Sequence, residues 1–315
     1  MKYLILSSLL FFASNQSSLA RAVDYTDMVL IPTGEFIQGS NKVDTAEKWR
    51  EYGMTEPWFI NEHPRHIVNL QQYYIDRFEV SNLAYRQFVK DTRKSIPAHW
   101  LENGYALSLR EKNIEKLNLV ALKNLANDIF QLDINYKTIN KASIIKKIKQ
   151  RWAYLHRLPV SNVSWFDAKA YCSWLNKRLP SESEWEKAAR GTDGRIYPWG
   201  NEWQANAAKI SYSEKWPDAV AAVGSFNQDQ SSYGIYDLAG NVFEWVADTY
   251  RAYHHADFQS HYYGKQHKVV RGYGVSSSGH YVLADFVRSS FRQHAHPEHS
   301  NIGQGFRCAA DVIQP

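Results

Sequence analysis

Two carboxylates, Asp237 and Glu244, flank a Gly240-Asn241 pair in the run Asp237-Leu238-Ala239-Gly240-Asn241-Val242-Phe243-Glu244-Trp245. Gly240 enters the φ > 0 region at little cost, and Asn241 tolerates it better than most residues. A chain turned sharply here aims main-chain carbonyls inward beside the two acids. Carboxylate and carbonyl oxygens are the donors a hard cation such as Ca²⁺ selects, about six to eight of them. The same residues also suit a buried turn whose acids cap neighbouring amides, and spacing alone leaves both readings open.

Histidine is the second candidate chemistry. His294-Ala295-His296-Pro297-Glu298-His299 is dense, and His254, His255, His261, His267 and His280 lie in the same third of the chain. Imidazole suits Cu, Zn and Fe, and the HxHxxH spacing can bring two rings together. The simpler reading, and the one preferred, is a set of exposed loop histidines. Glu182, Glu184 and Glu186 resemble general acids by type. Ser181-x-x-Glu184 is a capping box, however, so capping and surface roles account for them.

The elements that must position these groups follow from pattern. The chain has 315 residues, 44% hydrophobic and 14% aromatic, which is ample material for a packed core and unlike a disordered chain. Residues 1–22 read as a signal peptide: Lys2, a short apolar stretch from Tyr3 to Phe12, then A-x-A-like sites around Ala20 and Ala22. Export makes the two cysteines, Cys172 and Cys308, free to pair or to stay buried thiols. Residues 27–40 predict two short strands around Pro32-Thr33-Gly34, and 66–80 continue in β-rich style. Ser81 is placed to cap a helix over about 82–91, with Leu83, Tyr85, Phe88 and Val89 on one face. Ser164-x-x-Asp167 and Ser181-x-x-Glu184 open two further helices, separated at Leu179-Pro180.

Residues from about 106 to 152 predict two helices, with Ile114, Leu117, Ala121 and Leu125 at helical spacing and Ile144, Ile148 and Trp152 likewise. This segment carries ten Lys/Arg against four Asp/Glu, while the whole chain has 37 against 32. The basic excess therefore lives here, which argues against a protein-wide nucleic-acid surface. It leaves a solvated lysine face or a patch for an acidic partner or membrane.

Gly240-Asn241-Val242-Phe243-Glu244-Trp245, KRLPSESEWEKAARG (177–191), YPWGNEW (197–203) and GFRCAAD (305–311) together resemble the formylglycine-generating-enzyme, or sulfatase-modifying-factor, family. The resemblance implies an α+β, C-type-lectin-like fold with little regular structure over 23–315, the basic stretch being an insertion. It implies a Cys172–Cys308 disulfide. It also implies a Ca²⁺ site from the Asp237 and Glu244 side chains and the Gly240 and Val242 carbonyls. A first Ca²⁺ site is implied at Asn206, although Glu214 and Asp218 do not fall on the expected spacing. Catalytic relatives bind Cu(I) through two cysteines after an R-G-G-S-W motif. Here the aligned segment begins Arg271-Gly272-Tyr273-Gly274-Val275, and Ser277 and Val282 stand at the cysteine positions. A protonated hydroxyl is too hard a donor to hold Cu(I), so copper is not expected.

The sequence therefore predicts a secreted or periplasmic member without the copper cysteines, similar to the pyoverdine-chromophore maturation proteins. Its expected role is non-canonical, oxidase-like maturation of a peptide or peptide-derived substrate. The alternative is a non-catalytic lectin-like binding or accessory module for an exported partner protein.

Overall fold

The computed structural model describes residues 22–210, 219–274 and 283–312. Its strands are short and its loops long. In chain order the elements are β1 (Met28–Ile31), β2 (Gly34–Gln38), α1 (Lys48–Glu51), β3 (His66–Leu70), β4 (Tyr73–Asp76), α2 (Asn82–Thr92) and α3 (His99–Glu102). They continue with α4 (Lys112–Glu115), α5 (Leu119–Asp128), α6 (Lys141–His156), α7 (Trp165–Trp174), α8 (Glu182–Arg190), β5 (Phe243–Thr249) and β6 (Lys268–Arg271). The chain closes with α9 (Leu283–Phe286), β7 (Arg292–Ala295), β8 (Gln304–Phe306) and β9 (Ala309–Asp311). No helix among the described residues is long and apolar enough to cross a membrane.

Pro32 and Thr33 split β1 from β2, and the two strands enter different sheets: β1-β4-β9, and the pair β2-β3. The third sheet runs β7-β6-β5-β8, antiparallel except for the parallel β5–β8 pair. Ser81 caps α2 by accepting from the Ala84 amide. The buried face of α2 holds Tyr85, Phe88 and Val89 as expected, but not Leu83. Leu83 is 49% exposed, and Asn82 is buried in its place, donating to the Leu155 carbonyl and accepting from the Trp100 indole. A polar side chain with two buried partners outcompetes an apolar one whose direction faces water.

Both predicted capping boxes form, at Ser164/Asp167 and Ser181/Glu184. Helix α8 stops where Gly191 takes φ 67°. The basic stretch of about 106–152 folds as three helices, α4, α5 and α6, where two were expected, and its core is continuous with the main one. Ile144, Ile148, Trp152 and Leu155 pack in one cluster with Tyr85, Phe88, Trp100 and Tyr105. Each fully buried aliphatic there contributes about 1.5–3 kcal/mol relative to exposure. In α5 the buried pair is Leu122 and Ala126, not Ala121 and Leu125, a one-residue shift of the helical face. Cys172 and Cys308, both buried, form a disulfide across 136 residues that ties α7 to the strand region following β8.

Candidate functional site

The 237–244 turn gathers four buried acids, Asp237 and Glu244 within it and Glu79 and Asp229 from outside. Asp237 (φ 59°) and Asn241 (φ 70°) are its left-handed residues. Gly240 is needed for another reason: a Cβ there would lie 2.5 Å from the Lys209 carbonyl oxygen. Acids cap this turn from outside as well as within. Asp229 Oδ1 and Oδ2 accept from the Leu238, Ala239 and Gly240 amides. Glu79 accepts from the Val242 amide and the Asn241 side chain, and Asp237 accepts from the Gly224 amide at 2.6 Å. Glu244 takes the Trp185 indole at 2.9 Å, and Arg307 on both oxygens at 2.7 and 2.6 Å.

Arg307 therefore supplies the positive charge nearest the turn, and it also reaches the Tyr236 and Asp237 carbonyls. Burial, then repulsion by Asp237, pushes Asp229 up to about 8, against the three amides that favour its charge. Burial raises Asp237 to about 6 and Glu79 well above its ordinary range. Four buried carboxylates, three of them facing the single Arg307 guanidinium, suit a hard cation by charge. By geometry the Asp237 and Glu244 side chains already accept from protein donors, in the arrangement of an acid-capped turn. Among the described residues no three His, Cys, Asp or Glu side chains converge to hold an ion. Asn206 is exposed, and Glu214 and Asp218 lie outside the described residues.

The segment expected to carry catalysis is anchored by a second buried network. Arg271 donates to Glu182 at 3.0 Å, to Glu186 at 2.9 Å and to the Ser289 carbonyl. Arg292 donates to Glu182 at 2.8 Å, and Arg190 to Glu186 at 2.9 Å. This corrects the surface reading of Glu182 and Glu186: both are buried, Arg271 and Arg292 clamp them to β6 and β7, and Arg190 pairs with Glu186 within α8. Glu184 does serve as the cap, with Arg178 paired to both its oxygens. Such acids position a segment. Tyr273 packs against Phe243, with ring centroids 5.5 Å apart. Ser277, Val282 and His280 lie outside the described residues.

A cavity of about 450 Å³ opens beside the C-terminal half of that segment. Its size falls in the roughly 300–1,000 Å³ range of small-ligand sites. One wall is aromatic: Trp58, Phe59 and Phe291 surround Phe286 at centroid distances of 5.2, 5.9 and 5.3 Å. The facing wall carries Tyr250, Tyr262, His267, His294, His296 and His299. The expectation of exposed loop histidines holds for His254, His255, His261 and His299 and is corrected for His267, His294 and His296, which are half-buried. His294 sits in β7, half-buried between Tyr250 and Tyr262 at 4.5 and 4.3 Å. Burial, with help from His267 and Arg292, lowers it to about 4, so it is neutral near pH 7. Sequence reasoning named these histidines but could not gather them, because their neighbours come from a strand 27 positions away, a pairing that only register sets.

Compared with known proteins, the chain matches the Sulfatase-modifying factor enzyme 1-like domain over residues 14–312. It is 30% identical to the inactive C-alpha-formylglycine-generating enzyme 2 of Bos taurus, covering 92% of this chain and 89% of that protein. It is 28% identical to the hercynine oxygenase of Mycolicibacterium smegmatis, covering 90% of this chain and 61% of that one. Among solved structures it resembles PvdO from Pseudomonas aeruginosa with a TM-score of 0.53 and 21% identity, over 90% of this chain and 94% of that one, a likeness of fold.

Proposed function

The chain belongs to the family of the Sulfatase-modifying factor enzyme 1-like domain, and from that premise we propose an exported, oxidase-like maturation protein that holds a peptide or peptide-derived substrate in the aromatic cavity. The observation that carries this reading is the fate of sulfur. The chain has two cysteines, and both are consumed in the Cys172–Cys308 disulfide. Cu(I) chemistry of the formylglycine-generating kind has no thiolate ligands here. Support for an oxidative role comes from the relative named an oxygenase, and support for a departure from formylglycine generation from the relative named inactive. A disulfide fits an oxidising compartment, which supports export. The cavity favours an aromatic or apolar side chain against Trp58, Phe59 and Phe286.

A binding module is the second reading. The cavity's one acid, Glu56, is held by the Ser260 hydroxyl and the His261 amide, which favours recognition over acid–base chemistry. Calcium at 237–244 belongs to the same proposal, supported by the surplus of buried carboxylates. So does an acidic partner at the basic insertion, supported by its excess of lysine.

The test uses a random-sequence peptide library under O₂. The wild type should retain a subset of peptides and consume O₂, and Phe286→Ala should retain fewer. Retention without O₂ uptake favours the binding module, and retention by neither protein refutes both readings. A Cys-x-Pro-x-Arg peptide given Cu(I), reductant and O₂ should keep its cysteine. Its conversion to formylglycine would overturn the argument from sulfur.

A further inference from the structure

Strands β6 and β7 are antiparallel, with Lys268 opposite Ala295 and Arg271 opposite Arg292. One step beyond Lys268 and Ala295, the same register sets His267 opposite His296. His294, two residues earlier in β7, projects from the same face as His296. The rings meet accordingly, with His267 5.0 Å from His294 and 6.1 Å from His296, centroid to centroid. His299 follows at 5.4 Å from His296. Two imidazoles bound to one tetrahedral ion, with metal–nitrogen bonds of about 2.0–2.1 Å, have ring centroids about 5 Å apart.

The nitrogens are prepared for this. His267 Nδ1 lies 2.8 Å from the Lys265 carbonyl, which only accepts, so the proton sits on Nδ1 and Nε2 is free to ligate. His294 Nδ1 is buried and has no hydrogen-bond partner. Such an orphaned polar atom calls for an explanation.

We propose that His267, His294 and His296, with His299 at the rim as a fourth donor, form a binding site for a divalent transition-metal ion of the zinc and copper class. In the present rotamers the rings pack edge to face, and no three such side chains among the described residues converge on one point. Ligation turns the His294 and His296 imidazoles about their side-chain torsions, releasing a 3.4 Å contact from the Glu298 amide to His296 Nδ1, while His267 keeps its Nδ1 bond to the Lys265 carbonyl. The site lies on the cavity wall and stands whether or not a peptide occupies that cavity.

Metal-stripped mature protein titrated with Zn²⁺ by equilibrium dialysis, and with Co²⁺ by visible absorption, tests this without any substrate. The wild type should bind one ion per chain, with a spectrum of nitrogen ligation. His267→Ala and His296→Ala should each weaken binding by about 10–100-fold or more, the scale already seen on losing an outer-shell partner. His296 is at the edge of the fold, and circular dichroism confirms that its variant is folded. His254→Ala/His255→Ala removes a separate ring pair 3.9 Å apart and should leave binding unchanged. Absence of stoichiometric binding overturns the proposal, as does binding that survives His267→Ala and His296→Ala but is lost in His254→Ala/His255→Ala.

Discussion

Replacing Arg307 with methionine probes how the acid-rich turn is held. Arg307 is fully buried, with two hydrogen bonds of 2.7 and 2.6 Å to Glu244 and others to the Tyr236 and Asp237 carbonyls at 2.8 and 3.2 Å. In Arg307→Met, Glu244 keeps only the Trp185 indole and faces Glu79 and Asp237 with no neutralising charge. Removing one partner of a buried pair costs about 3–5 kcal/mol, and the stranded carbonyls add about 1 kcal/mol. The expected loss is therefore about 5 kcal/mol, a fall in melting temperature on the order of 10 °C. Glu244→Gln should cost less, about 2 kcal/mol, because Asp237 still lies beside the guanidinium and a surplus acid is removed. Arg307→Met/Glu244→Leu should recover part of the Arg307→Met loss, since well-packed apolar pairs replace buried ion pairs at little cost. Guanidinium unfolding with the disulfide intact, followed by fluorescence and circular dichroism, measures all three. A cost below about 1 kcal/mol for Arg307→Met refutes the reasoning, as does a Glu244→Gln loss equal to or larger than it.

Cys308→Ser opens a crosslink spanning 136 residues and should cost about 2–5 kcal/mol, read as a shift in denaturation midpoint. Added Ca²⁺ should raise the melting temperature, and Glu244→Gln and Asp237→Asn should abolish the gain; a melt indifferent to Ca²⁺ and chelator rejects calcium at this turn. Burial lowers His99 from 6.5 to about 3, so the fold disfavours its charged form. That stability is fully present above pH 6.5 and is lost as pH falls toward 3, by at most about 5 kcal/mol. His99→Gln should flatten the decline between pH 6 and pH 4, and a pH profile identical to wild type would exclude His99 as its source.

Much of the local architecture and the family was legible in the chain itself. The caps at Ser81, Ser164 and Ser181, the ends of their helices, and the helical insertion follow from contacts within a few residues, where sequence spacing is spatial distance. The motifs around Gly240 and Cys308 carried the fold class, and with it the disulfide. What tertiary structure decided is the company each charged group keeps. Glu182 and Glu186 have the same local pattern whether they face water or three arginines, and α8 turns that face inward against β6 and β7. Glu79 reaches the Val242 amide across 163 positions, and Arg307 reaches Glu244 across 63. His294 of β7 meets His267 only because the two strands pair in one register. Spacing encodes periodicity along a segment, whereas the partner of a buried charge is set by which segments pack, and that choice is made by the whole core at once.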